Sequence, residues 1–173
     1  MLFRSDRVAL ASVGDSRIYR MRDGSLELLT QDDTWLATVL GIKEAEEAHP
    51  EHPLRHVLTS VVGTKDDVKP GAREEALQPG DRFVMCTDGV HGKLDLTTLT
   101  RLLASTTSAQ DGATTIVDEA ITRGTTDNAT ALVINGATVT GTFQPGRRLF
   151  KIESLGNGRH RVIEIDPEQE PKE

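Results

Sequence analysis

Two tripeptides, Thr87-Asp88-Gly89 and Thr126-Asp127-Asn128, each place one carboxylate where an apolar strand meets a turn. The run Arg82-Phe83-Val84-Met85-Cys86 leads into Asp88-Gly89, and Asp127-Asn128 opens the run from Ala129 to Ile134. An aspartate at the end of a buried strand is costly unless a positive charge is near, and a hard divalent cation is the usual compensator. If Asp88 and Asp127 converge to ~5 Å, their repulsion is about 3 kcal/mol at an effective dielectric of roughly 20. A bound Mn²⁺ or Mg²⁺ reverses that sign, because carboxylates are preferred ligands of these ions. Gly89 would let backbone and ligand water approach closely, and Asn128 could hydrogen-bond its neighbour or a ligand water. A cation held this way keeps several waters, one of which, made more acidic, can attack a phosphate ester. The bland alternative is a pair of turn aspartates that cap a bend or a helix.

Other polar residues are candidates for the same neighbourhood. In Gly14-Asp15-Ser16-Arg17, Asp15 and Arg17 read as a structural ion pair near the site. Asp32 and Asp33 could add a metal ligand or simply form an exposed turn. His49, His52 and His56 fall within one stretch, but their spacing and proline neighbours do not resemble a zinc site. His91 could line the mouth of the site, although a polar loop histidine is the simpler reading. Trp35 reads as a packing anchor, and the run Glu44 to Glu47 as a solvated helix face.

Composition narrows the function classes. With 173 residues the chain can bury a real core, yet aromatic content is 3%, so that core must rest on Val, Leu, Ile and Ala. A net charge of −7 without a clustered basic patch argues against a nucleic-acid or anionic-membrane surface. The single Cys86 excludes an internal disulfide and a multi-cysteine zinc site, and in an apolar run it reads as a small buried hydrophobe. No apolar stretch approaches the ~20 residues that span a bilayer, and the N-terminus lacks the build of a secretory signal, so a cytoplasmic location is expected.

The elements that must position these residues follow from periodicity. Val8 to Val13 and Arg17 to Met21 read as strands around Gly14-Asp15-Ser16, and Asp23-Gly24 marks a hairpin into Leu26 to Leu29. The first thirty residues are therefore expected to form an antiparallel meander. Thr34 to about His49 reads as helical, Val57 to Gly63 as strand or helix, and Arg73 to Leu77 as a short strand. A turn at Leu77 to Asp81 launches the strand 82–86. Two amphipathic helices follow, with Asp95 and Ser108 as candidate N-caps, and then a strand over 129–134. Beyond Gly136, two alternating runs around Gly156-Asn157-Gly158 predict a hairpin, and the tail from Asp166 is polar. The order gives α+β with antiparallel sheets and helices packed outside. Residues 1–136 form one unit in this reading, and 137–173 a hairpin extension with a polar tail. A strand as early as Val8 needs a neighbour, so the chain reads as the later part of something longer.

Taken in order, Val13-Gly14-Asp15-Ser16-Arg17, Leu29 to Asp33, His52 to Thr59, Leu77 to Phe83, Thr87-Asp88-Gly89 and Thr126 to Thr130 resemble the bacterial metal-dependent protein serine/threonine phosphatases of the PPM (type 2C) family. The resemblance covers roughly residues 7 to 135. It implies a β-sandwich of two antiparallel sheets flanked by helices. It also implies a two-metal Mn²⁺/Mg²⁺ centre whose bridging hydroxide attacks phosphoserine or phosphothreonine in proteins. Asp88 and Asp127 match metal ligands of that family, and the segment from about Trp35 to His52 matches its variable flap. The family's first metal-ligand aspartate, its phosphate-gripping arginine and its Asp-Gly-x-Gly-Gly motif have no counterpart in this sequence. At most one cation, weakly held, is then expected, with impaired phosphatase activity. Phosphorylated proteins, with serine/threonine kinases as antagonists, are the implied partners. The alternative is a non-catalytic module of the same fold that binds a phosphoprotein or another partner. A generic β-rich binding domain is the third reading.

Overall fold

The computed structural model describes residues 1–4, 6–39, 57–63, 69–136, 149–156 and 159–165. Nine strands and four helices are assigned there: β1 (Leu2–Arg4), β2 (Arg7–Ser12), β3 (Arg17–Arg22), β4 (Ser25–Leu28), α1 (Trp35–Val39), β5 (Gly71–Ala76), β6 (Arg82–Cys86), α2 (Asp88–His91), α3 (Leu96–Ala104), α4 (Ala109–Thr122), β7 (Ala131–Asn135), β8 (Leu149–Gly156) and β9 (Arg159–Ile165). Two antiparallel sheets, ordered β1-β2-β5 and β4-β3-β6-β7, form a sandwich with helices on the outer face of the second. The expected α+β sandwich with flanking helices is what the chain adopts.

Strand alternation explains the layers. From β3 and β6, Ile18 and Phe83 point between the sheets and meet Val8 and Leu10 of β2. The intervening Tyr19, Met21, Val84 and Cys86 point the other way, onto α3 and α4 through Leu99, Leu102, Leu103, Ile116 and Val117. A sheet covered on both faces needs apolar residues at successive positions, which is why 82–86 shows no polar alternation. Asp95 and Ser108 cap α3 and α4 as their sequence predicts: Thr98 N–H donates to Asp95 Oδ1 at 2.7 Å, and Asp111 N–H to Ser108 Oγ at 3.2 Å. Asp23 and Gly24, at φ 51° and 76°, make the tight turn between β3 and β4.

Several expectations are corrected. The first thirty residues are not a meander, because β2 and β3 lie in different sheets and face each other across the core. Gly14-Asp15-Ser16 is thus an arch between layers. An alternating pattern demands that one face be buried but does not say whether the next strand pairs beside it or packs over it. The strand β1 was not foreseen; it pairs with β2 (Leu2↔Ala9, Phe3↔Val8), and the Phe3 ring meets Phe83 edge-on at 5.6 Å. Val57 to Gly63 is neither helix nor strand, and forms one bridge, Leu58↔Thr34. The final core strand begins at Ala131 rather than Ala129. The helical segment expected to about His49 is described only over Trp35–Val39; the rest of that segment, including His49, His52 and His56 nearby, lies outside the described residues. The polar tail from Asp166 lies outside them as well. β8 and β9 pair antiparallel where the second hairpin was expected.

Candidate metal centre

The chemistry-bearing turns collect at one end of the second sheet. There β6 runs out at Cys86, β7 begins at Ala131 and β3 begins at Arg17; these three residues stand in one cross-strand row. Thr87-Asp88-Gly89 continues from β6, Thr126-Asp127-Asn128 precedes β7, and Gly14-Asp15-Ser16 precedes β3. A strand end ties each turn in place, so the sheet register itself brings them together.

Short contacts lock the two tripeptides side by side. Thr87 N–H donates to the Thr130 carbonyl at 3.1 Å, and the Thr87 hydroxyl donates to the Asn128 carbonyl at 3.0 Å. That hydroxyl also accepts from Thr130 N–H at 3.1 Å. Gly89 fits against the Asn128 backbone so closely that a side chain there would collide with it. Asp88 opens α2 and is half-buried, with Oδ1 accepting the Gly89 N–H at 2.9 Å. Asp127 is exposed, and its Oδ1 accepts the Asn128 N–H at 2.7 Å. Each aspartate therefore uses one oxygen on the following amide and keeps the other oxygen for a further partner.

Asp15 contributes more than sequence suggested. Its carboxyl is pushed above the usual carboxylate range, first by burial and then by the negative charge of Asp88. Two partly buried carboxylates in mutual repulsion are a donor pair that a hard cation would stabilise. The expected Asp15–Arg17 pair is not what forms: Arg17 grips Asp32 instead, with Nε 3.1 and 3.2 Å from the two carboxylate oxygens and Nη2 2.9 Å from Oδ2. Both residues are nearly inaccessible. Burial works against the guanidinium charge, but the bonds from Asp32 more than offset it and raise the Arg17 pKa. The Asp32 carboxylate is thereby committed to Arg17. Asp33 accepts the Gly14 N–H at 3.0 Å through Oδ2, which pins the arch that carries Asp15.

His91, in the last turn of α2, places its ring Nε2 3.0 Å from the Asp15 carbonyl oxygen. Burial and the charge of Arg17 push its pKa down to about 4. Sequence hinted at this residue only through its distance from Asp88. The helical turn that aims it at Asp15 was not legible, because α2 is a single turn. Cys86 is buried, and its thiol is pushed up to about 12, chiefly by burial, in keeping with the reading as a small hydrophobe.

Among the described residues no three His, Cys, Asp or Glu side chains converge as a metal-holding group. The donor set is still of the right chemistry for one loosely held cation: Mg²⁺ and ions like it are commonly bound through one or two carboxylates, with water filling the remaining positions. Also among the described residues, no helix is long and apolar enough to cross a membrane.

Comparison with known proteins finds phosphatases that are similar in sequence and in structure. No protein-family model matches the chain. It is 33% identical over 135 residues to the serine/threonine protein phosphatase PstP of Mycobacterium tuberculosis, a match covering 77% of this chain and 26% of that protein. It is 30% identical over 126 residues to a putative protein phosphatase 2C-type of Streptococcus pyogenes, covering 72% of this chain and 51% of that one. In structure it is similar to the catalytic domain of PstP in complex with two manganese ions, with a TM-score of 0.64, 30% identity, and coverage of 76% of this chain and 54% of that one. The chain therefore spans between a quarter and a little over half of these relatives.

Proposed function

We propose, from the premise that the chain belongs to the metal-dependent (PPM, type 2C) protein serine/threonine phosphatases, that it serves the hydrolysis of phosphoserine and phosphothreonine in proteins. The observation that carries this is the locked pair of turns, Thr87-Asp88-Gly89 against Asn128, with the Asp15 carboxyl repelled by Asp88 beside it. Asp88 and Asp127 are the ligands we assign to a Mn²⁺ or Mg²⁺ ion; Asp15, near Asp88, is the alternative partner to Asp127 in a two-carboxylate set. Gly89 and Asn128 line the site, and Asp33 acts through the arch it pins. Asp32 we place outside the ligand set. When bound, the cation would supply Lewis-acid polarisation of the phosphate and a more acidic water. The chain's own part is to hold the carboxylates, keep Gly89 clear for close approach, and present Asp127 to solvent. One weak cation site is what these residues support.

Residues 1–136 carry this activity in our reading, and 137–173 are an appended hairpin and tail. Phosphoproteins would be the substrates, opposing serine/threonine kinases in cytoplasmic signalling. The second reading, a non-catalytic module that binds a phosphoprotein or partner, is favoured by one observation: the described residues bring no three metal-ligating side chains together.

Turnover of para-nitrophenyl phosphate by the purified chain with Mn²⁺, beside Asp88→Asn, separates the two. Hydrolysis lost in the variant supports the enzyme. Metal binding without hydrolysis in either protein supports the binding module.

A further inference from the structure

We infer that His91 is a positioning residue for the cation centre: its ring N–H, donated to the Asp15 carbonyl oxygen, fixes where the Asp15 carboxylate stands relative to Asp88. The inference rests on the metal reading proposed above and adds to it a residue that holds two ligands in register.

The geometry is compact. Asp88 and His91 are three residues apart on α2, so they share one face of the same helical turn. Asp15 meets both: its carbonyl oxygen is 3.0 Å from His91 Nε2, and its carboxyl feels the Asp88 charge. A single loop residue is thus bonded to one end of that turn and repelled through its carboxyl by the charge at the other. A carbonyl oxygen only accepts, so the ring must carry its proton on Nε2. The arch is held from its other side by Asp33, which accepts the Gly14 N–H. With the arch clamped at Gly14 and Asp15, the backbone that carries the carboxylate cannot shift without breaking one of these bonds. Groups that orient metal ligands from behind commonly change metal affinity by about 10–100-fold when removed.

Gln and Asn separate position from polarity, because a Gln amide reaches about as far as Nε2 and an Asn amide only about as far as Nδ1. Calorimetric Mn²⁺ titration of the whole chain should give H91Q within about twofold of the unsubstituted protein, and H91N and H91F weaker by about tenfold. Nitrogen-15 NMR at neutral pH should show the His91 ring protonated on Nε2 alone. Should H91F fail to fold, the H91Q and H91N pair decides the matter. H91N binding as tightly as the unsubstituted chain, or a ring proton on Nδ1, overturns the inference and leaves the metal centre standing. An unsubstituted chain that binds no Mn²⁺ overturns both.

Discussion

Gly89 and Asn128 touch with no room for a side chain between them: a methyl on the Gly89 Cα would stand 2.6 Å from the Asn128 carbonyl oxygen and 2.9 Å from its carbonyl carbon. The contact joins the two aspartate-bearing turns. Gly89→Ala must push them apart or shift α2. We expect a loss of about 1–3 kcal/mol in urea unfolding, as for other over-packed sites. Mn²⁺ affinity should fall with it. An alanine variant as stable as the parent would show that the contact can open freely.

Arg17 and Asp32 form a buried, forked ion pair beneath the site. Replacing Arg17 by Met strands the Asp32 carboxylate in the core, which should cost about 3–5 kcal/mol. The double variant R17M/D32L removes both charges and should recover most of that loss. Denaturation midpoints of the two variants, read side by side, test this pairing. Equal loss in single and double variants would contradict it.

The pH dependence of stability has two opposing contributors. The folded His91 titrates at about 4 against an ordinary 6.5. Between those values the unfolded chain takes up a proton that the folded chain refuses. Stability should therefore be fully present above pH 6.5 and decline as pH falls toward 4, by up to on the order of 3 kcal/mol. Asp15 acts in reverse: its raised pKa means the folded chain holds the proton more tightly, so its contribution falls as pH rises past the ordinary carboxylate range. Urea midpoints measured across this range should lose the His91 slope in H91Q and the Asp15 slope in D15N.

Cation binding should be visible as stabilisation. At free Mn²⁺ a hundredfold above its Kd, the folded chain should gain about 2.7 kcal/mol, reversed by a chelator. D88N should lose this gain. D15N should also lose it, while becoming more stable than the parent without metal, since it removes a carboxyl that burial and Asp88 both disfavour. Thermal melts with and without Mn²⁺ check both signs. A D15N protein that is less stable without metal would show that the carboxylate serves the fold instead.

Much was legible from residue order. The apolar run 82–86, the Asp23-Gly24 turn and the Asp95 and Ser108 caps each depend on neighbours within a few positions. Such features follow from backbone geometry and strand or helix periodicity, and they appear where the pattern places them. Asp88 follows the end of β6 as the local pattern places it, whereas Asp127 is set back from β7 by the loop through Thr130.

Partners distant in sequence were decided only by tertiary structure. Whether β3 pairs beside β2 or packs across from it depends on where the whole core closes, since the pattern of Val8, Leu10 and Ile18 satisfies either. Arg17 could have met Asp15, two positions away, but the fold brings Asp32 to it from fifteen residues on, where burial makes a forked pair the better compensation. The approach of Gly89 to Asn128, and of His91 to Asp15, arises because β3, β6 and β7 end in one row. Sequence supplied the charges; the register of that sheet determined which of them meet.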